Sequence, residues 1–517
     1  MPAKGRRRRE IPVASPPLYW WVFQPRSSGL RRWLPAAFFL LAGGFCLFGL
    51  ADVGLLGPDE PRYAFIGREM ARSGDWLTPR LWGEPWYEKP PLLYWMTAAA
   101  FRLGLGPDLA PRLPVALLSA AFLLLQLLLL RRLLDERTAW LAALMNATTA
   151  GWVAYSKIGV TDLPLAVFFQ LAVLLAWLSL KEPAPAARYG AAVCLAAAVL
   201  AKGLVPLVLF LPVLWFLRTA WRAWAGPAAL FLALAAPWYA AMAWVHGEAF
   251  LAEFFLRHHL SRFSSDELQH VQPFWFYFPV FIGGLFPWIP ALITAGRRQW
   301  EDVRLRIPLA VFVFGFLFFS ISRNKLPGYL LPLWPPACIL LAAGLAGAPR
   351  AGRALFWTVM LAGFSPAAAA LLPEALLYGI TNARMEGAAW EYFALLLPVA
   401  LGVWWLDARG QRAAAAGAVA GVAAAAFVFI QLSAAPVLDQ IVSARGLWRK
   451  AEPRRQQICI ERLHRSWRYG LAYYAGAVLP DCATEARPFR IDQPPDSLPR
   501  IVPSPAALEA EPTARGQ

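Results

Sequence analysis

The stretch LPVALLSAAFLLLQLLLL, residues 113–130, closed at once by Arg131 and Arg132, decides how the rest of the chain is read. It carries no charge, and an uninterrupted run of roughly 17–20 apolar residues is long enough to cross a hydrocarbon core ~30 Å thick. The arginines that end it fit the excess of Lys and Arg on the cytoplasmic side of membrane proteins. Runs of the same kind recur on both sides of it. The 517 residues are 59% hydrophobic and 16% charged, with 25 Trp, 33 Phe and 45 Pro. A soluble domain carries about a quarter charged residues and cannot hide this much apolar surface from water. The net charge of +17 does not point to nucleic acid, because the basic residues sit in short clusters between the apolar runs.

Walking outward with the charge rule gives a topology. Residues 1–32 read as a cytoplasmic tail, since the first apolar run follows a Pro-rich stretch and starts only near Leu34. A span at Leu34–Leu50 delivers Asp52 to the outside, and a polar loop from Val53 to Arg112 follows. Leu92–Gly104 within that loop is apolar but too short to cross, so it reads as a helix lying at the interface. Leu113–Leu130 returns inward, Ala139–Val153 goes out, and Leu163–Leu180 comes back to Lys181 and Arg188. Residues 189–217 have basic residues at both ends and read as a hairpin turning at Lys202-Gly203. Further spans are expected at Trp224–Val245, Phe274–Thr294, Ile307–Ile321, Leu330–Ala346, Ala354–Leu372, Tyr392–Leu406 and Ala413–Leu432. The expected fold is an all-α polytopic membrane protein of about thirteen transmembrane helices over residues 33–432. Residues 433–517 then lie outside as a small α/β domain. Cys459 and Cys482 both fall in that outer segment, where an oxidising compartment permits a disulfide, and they are expected to pair.

The loops on the cytoplasmic side supplied the topology, and the unusual polar residues all fall on the other side. The first outer loop carries Asp59-Glu60-Pro61-Arg62-Tyr63 and Tyr87-Glu88-Lys89-Pro90-Pro91. Later turns carry Lys157, Thr161-Asp162, Lys202, Arg257-His258-His259, Arg262-Phe263 and Ser322-Arg323-Asn324-Lys325-Leu326-Pro327-Gly328-Tyr329. Ionisable groups near membrane depth are costly and are usually paired or functional. The cations suit a phosphate, and the carboxylates suit a base toward a hydroxyl or a metal ligand. Such a set beside an interfacial loop fits a substrate with a lipid tail, a phosphate and a sugar. No P-loop or dinucleotide fingerprint is present, so no nucleotide cofactor is expected.

The ordered set Asp-Glu-x-Arg-Tyr, Tyr-Glu-Lys-Pro-Pro, Thr-Asp-x-Pro, Lys-Gly, His-x-x-Arg-Phe and Lys-Leu-Pro-Gly-Tyr-x-x-Pro resembles the aminoarabinose transferase family. That family groups with the protein O-mannosyltransferases among polyprenyl-phosphate-dependent membrane glycosyltransferases, and the resemblance fades beyond about residue 340. It implies a multi-pass protein of the bacterial inner membrane with its active site facing the periplasm. It also implies a polyprenyl-phosphate-linked sugar donor, inverting transfer, and a lipid or glycolipid acceptor such as lipid A. By motif, Asp59, Asp162 and Glu60 would be catalytic carboxylates. Lys89 and Arg262 would hold the donor phosphate, with Arg62, Tyr63, Lys202, Arg323, Lys325 and Tyr329 nearby. Glu88 with His259 or His258 would match a divalent-metal site (Zn, Mg or Mn).

Plainer roles stand beside these. Asp59 and Asp162 can be helix caps, Glu88-Lys89 an exposed ion pair, and Lys202 a lysine snorkelling at a span end. Three rival functions also remain. A flippase or transporter of lipid-linked sugars would place its charges at the midplane. A protein O-glycosyltransferase would share the donor chemistry, and a scaffold would survive loss of Asp59.

Overall fold

A computed structural model describes residues 29–261, 272–349, 351–379, 383, 391–494 and 497–504, and helices dominate it. The expected cytoplasmic tail lies almost wholly outside these residues. The first helices are α1 (Gly29–Leu47), α2 (Asp59–Ser73), α3 (Leu92–Arg102), α4 (Leu113–Leu133), α5 (Glu136–Ala147) and α6 (Ala150–Tyr155). They are followed by α7 (Asp162–Lys181), α8 (Pro185–Lys202), α9 (Val205–Leu217) and α10 (Ala225–Leu251). Further helices occupy Tyr277–Gly284, Arg306–Ile321, Trp334–Gly347, Ala351–Ala362, Ser365–Tyr378, Glu391–Ala408 and Arg412–Ile441. Among the described residues six helices are long and apolar enough to cross a membrane, or seven if the bent pair Ala351–Ala362 and Ser365–Leu377 is one span. The chain is a polytopic membrane protein. Its outer helices expose apolar side chains, Trp244 at 90% and Leu41 at 75%, as contact with lipid requires.

Besides the bend between Ala362 and Ser365 inside the expected span Ala354–Leu372, two expected spans are broken. The run expected at Ala139–Val153 splits into α5 and α6 at Thr148-Thr149. The run at Phe274–Thr294 splits between the helix Tyr277–Gly284 and a 3-10 turn Ile289–Thr294, with Pro287 removing a backbone donor in between. The two breaks face each other. The Ala150 amide donates to the Phe286 carbonyl at 2.9 Å, and the Trp288 indole donates to the Thr148 hydroxyl at 2.9 Å. A helix interrupted at membrane depth needs such substitutes for its lost bonds. The hairpin expected at Lys202-Gly203 is present, with Gly203 at φ +83° between α8 and α9. The last long helix, expected to stop at Leu432, runs on to Ile441.

Hydrogen bonds distinguish the two ends of the bundle. At one end Lys181 donates to the carbonyls of Arg132 and Leu133, joining the ends of α4 and α7. Arg412 pairs with Asp407 there at 2.6 Å and donates to the carbonyls of Leu345 and Ala346. These are basic clusters that the charge rule assigns to one side. The opposite end carries Asp59, Asp162 and Lys202.

The first loop holds α2, a two-stranded hairpin β1 (Arg80–Leu81) and β2 (Glu84–Pro85), and α3. Helices α2 and α3 approach closely at Gly67, where a Cβ would sit 2.7 Å from Thr97. After the last long helix come Ala444–Ala451, strand β3 (Ile458–Ile460), the helix Arg465–Ala475, β4 (Phe489–Asp492) and β5 (Arg500–Pro503). The sheet order is β3-β4-β5, with β3 parallel to β4 and β4 antiparallel to β5. Trp448, Ile458, Ile460, Trp467, Leu471 and Ile491 form its own small core, and Cys459 is disulfide-bonded to Cys482 as expected.

Candidate active site

Helix α2 opens on two adjacent carboxylates, Asp59 and Glu60, in a first turn that favours negative charge. Neighbouring helical residues point about 100° apart, and the two carboxylates separate accordingly. Glu60 turns inward and is fully buried. Its two oxygens accept from Arg112 Nε and Nη2, each at 2.7 Å, and from the amides of Leu56 at 2.7 Å and Gly159 at 2.8 Å. That set satisfies the carboxylate. Glu60, expected among the catalytic carboxylates, is therefore part of the scaffold that binds the first loop to the turn before α7. Arg112 also donates to the carbonyls of Leu50, Val53 and Gly54.

Asp59 turns outward, and its side chain is 44% exposed. Arg62, one turn on, holds Asp59 Oδ1 at 2.7 Å and reaches Glu88 at 3.3 Å, and Lys89 meets the other Glu88 oxygen at 2.9 Å. Arg62 lies over the rings of Tyr63, Trp86 and Tyr469, so an aromatic cage fixes this cation. Asp59, Arg62, Glu88 and Lys89 thus form one chain of alternating charge. Burial pushes the Tyr63 phenol upward, so it stays a neutral wall of the cage.

The second carboxylate, Asp162, stands in the first turn of α7. Its Oδ1 is 2.5 Å from Lys202 Nζ at the end of α8, and that ammonium lies 4.9 Å from the centre of the Tyr329 ring. Gly328 is wedged against the pair: a Cβ there would lie 2.6 Å from Asp162 Oδ1 and 2.7 Å from the Tyr155 hydroxyl. Asp59, Tyr155, Lys157 and Asp162 all open onto one cavity of about 1830 Å³. Leu371, Ala375, Phe427, Ala434 and Leu438 give it apolar walls, and His464, Trp467 and Gln493 close it from the C-terminal domain.

Not every expected residue reaches this cavity. Lys325 is buried, donating to the Gln272 carbonyl at 3.0 Å and to the Ser322 carbonyl. It ties its own loop to the segment at Gln272 and does not line the cavity. Arg323 is exposed on the same loop and does not line the cavity, whereas Leu326, Pro327 and Gly328 do. Arg262 lies outside the described residues. His258 and His259 fall in a π-helical turn, Ala252–Ser261, with side chains outside the described set. Among the described residues no group of three His, Cys, Asp or Glu is placed to hold a metal ion. Glu88, the described member of the expected metal pair, is engaged by Arg62 and Lys89.

The family described as dolichyl-phosphate-mannose-protein mannosyltransferase matches residues 53–251, the stretch that holds Asp59, Lys89, Asp162 and Lys202. An undecaprenyl phosphate-alpha-4-amino-4-deoxy-L-arabinose arabinosyl transferase of Edwardsiella ictaluri is 33% identical over 403 residues, covering 72% of this chain and 71% of that protein. The chain belongs to the aminoarabinose transferase family. A second such transferase, from Pseudomonas fluorescens, is 31% identical over 64% of this chain, and the match spans 60% of that relative's length. The crystal structure of ArnT from Cupriavidus metallidurans bound to undecaprenyl phosphate superposes with a TM-score of 0.70 at 24% identity, covering 89% of this chain and 86% of that one. The aminoarabinose transferase fold therefore extends past residue 340, where the sequence resemblance fades. Sequence reasoning did not single out Arg112, Tyr155 or Gln431 for this site. Arg112 carries a legible signal, being an arginine in a loop expected to lie outside, against the charge rule. Tyr155 and Gln431 carry none, since each reads as an ordinary residue of an apolar helix.

Proposed function

We propose that this chain transfers a sugar from a polyprenyl-phosphate donor to the hydroxyl of a lipid or glycolipid acceptor, lipid A being the reference case. In this reading about thirteen helices cross the membrane and the active site and residues 433–517 face the periplasm. The observation that carries it is the shared cavity: Asp59 and Asp162, the latter paired with Lys202, open onto a space lined largely by apolar residues of the helices. A soluble sugar would need no such walls, whereas a lipid-bearing substrate does.

The reaction needs a cation around the departing phosphate and a base at the attacking hydroxyl. Lys202, and Lys89 beyond Arg62, are placed to offset the charge that grows on the phosphate as the sugar–oxygen bond breaks. The acceptor oxygen forms the new bond to the anomeric carbon, its proton passes to the Asp59 carboxylate, and the carrier leaves as polyprenyl phosphate with the bonding electron pair. One displacement inverts the anomeric centre. Asp162, held by Lys202, orients the sugar. A divalent metal, if bound, would be held by Glu88 with His258 or His259; chelation that abolishes transfer, restored by one added cation, would establish it.

A transfer assay in proteoliposomes tests the reading, with radiolabelled undecaprenyl-phosphate sugars as donors and a bacterial lipid extract as acceptor. Label should move to lipid with the wild type and not with Asp59→Asn. Label moving to protein instead would establish the protein O-glycosyltransferase. Donor crossing the bilayer without transfer would establish the transporter and overturn this reading.

A further inference from the structure

The segment between α1 and α2 forms neither helix nor strand, yet the carbonyls of Phe48 to Gly54 all accept from side chains outside it. The carbonyl of Phe48 accepts from Lys157 and that of Gly49 from Gln431. Those of Leu50, Val53 and Gly54 accept from Arg112, and those of Ala51 and Asp52 from Arg445 at 2.8 and 2.7 Å. The next amides are taken in the same way: Gly54 N by Asp439 at 2.8 Å, Leu55 N by the Tyr474 hydroxyl at 2.9 Å and Leu56 N by Glu60. Buried backbone polar groups must find partners, and here most of them are side chains: the exceptions are the Phe48 amide on the Gly44 carbonyl of α1, the turn bonds of Leu50 and Asp52, and a single bridge between Leu56 and Ser443. The segment ends two residues before Asp59.

Arg445 and Tyr474 belong to the C-terminal domain, and they are tied to each other through Asp108. Arg445 Nη1 lies 2.9 Å from Asp108 Oδ2, and the Tyr474 hydroxyl donates to Asp108 Oδ1 at 2.8 Å. Asp439 holds Arg445 from a third side at 2.9 Å. Burial, then Asp108, pushes the Tyr474 phenol upward, which keeps it a donor. The contact is fitted as well as bonded. A Cβ on Gly54 would lie 2.2 Å from the Ser443 hydroxyl and 2.7 Å from both Arg445 Cβ and the Tyr474 hydroxyl, so only glycine lets the two segments meet.

We propose that Arg445, with Tyr474, is a positioning residue for Asp59: the C-terminal domain fixes the Phe48–Leu56 segment and thereby the placement of the carboxylate at the start of α2. The domain is then a working part of the catalytic site and not only a wall of the acceptor cavity. This rests on the transferase reading for its kinetic consequence. A misplacement near 1 Å at a reacting group can cost about a hundredfold in rate.

The experiment uses the full chain in nanodiscs with Arg445→Lys, Tyr474→Phe and Gly54→Ala. For each, kcat and donor KM are measured with an undecaprenyl-phosphate sugar, and amide hydrogen exchange is followed over residues 48–58. Arg445→Lys and Gly54→Ala should lower kcat roughly ten- to a hundredfold with donor KM within about twofold. Exchange over residues 48–58 should rise while the rest of the bundle stays protected. Tyr474→Phe should do the same more weakly. In an Asp59→Asn background Arg445→Lys should cost nothing more, because both changes act through one group. A fall in kcat without faster exchange, or faster exchange with kcat unchanged, overturns the proposal. So does a loss of folded protein with normal kcat in the fraction that remains. If the wild type moves no sugar from any donor, the transferase reading fails. The exchange result then decides by itself whether Arg445 and Tyr474 hold the segment.

Discussion

The two ends of the helix bundle are built differently. At the end that carries Arg131, Lys181 and Arg297, several ion pairs are local and exposed, although Lys181 and Arg412 also reach the carbonyls that end neighbouring helices. Arg297 pairs with Glu301 one turn on, both side chains being mostly exposed, and Asp135 caps its own helix by accepting from Thr138. At the other end the contacts reach across the sequence and are buried, as in Glu60 with Arg112 or Arg445 with Asp108 and Asp439. The first end needs only to stay in water and keep the orientation of the spans. The second must hold charged groups in one geometry beside an apolar cavity, and it does so by leaving few of their hydrogen-bonding atoms to solvent.

That contrast breaks first, and most, at Asp59. Asp59→Asn should lower transfer by about three orders of magnitude while leaving the melting temperature nearly unchanged, because its side chain is half exposed and holds a single ion pair. Transfer and thermal unfolding measured on one preparation separate the two effects. Its neighbour should behave in the opposite way. Glu60→Ala strands a buried guanidinium and should cost about 3–5 kcal/mol of stability, seen as loss of folded protein in a thermal or denaturant titration. A Glu60→Ala protein of full stability and no activity would reverse the roles assigned to these two residues.

Their difference also shows how far the sequence could be read. Apolar length and basic flanks were enough to place the helices in order, the Lys202-Gly203 hairpin and the short helix at Leu92, because each depends on residues next to one another. The pairing of Cys459 with Cys482 followed from their shared place in the segment expected to lie outside. Asp59 and Asp162 were legible as acids in outer turns, but nothing local distinguishes Glu60 from Asp59. What separates them is Arg112, and Gly159 on a different loop. Lys325 is similar: the motif does not show that its ammonium is held by the carbonyls of Ser322 on its own loop and of Gln272 on a distant segment. The breaks at Thr148 and Phe286 stayed hidden because the hydrogen bonds that replace their lost helical ones run between segments far apart in the sequence.

Smaller changes sharpen the comparison. Cys459→Ser with Cys482→Ser should cost roughly 2–4 kcal/mol within the C-terminal domain, measurable as earlier proteolysis of that domain under conditions that leave the helices intact. At the quiet end, Arg297→Gln should change stability by no more than about 0.5 kcal/mol and leave transfer untouched, since an exposed pair is screened by water. A larger effect there, measured in the same melt and the same assay, would mean that the two ends are not as independent as their contacts make them.

The Phe48–Leu56 segment has a consequence for how the chain tolerates change. Its partners grip main-chain atoms, so most of its own side chains carry little of the hold, and replacements at Ala51 or Val53 should be accepted as long as they fit. Gly49 and Gly54 are the exceptions, both for want of room and Gly49 also for its φ of +65°. Inserting or deleting a single residue is another matter, because every carbonyl would then arrive at the wrong side chain. Among related sequences this stretch should drift in letter while staying constant in length, and the fixed letters should be found far away, at positions 112 and 445.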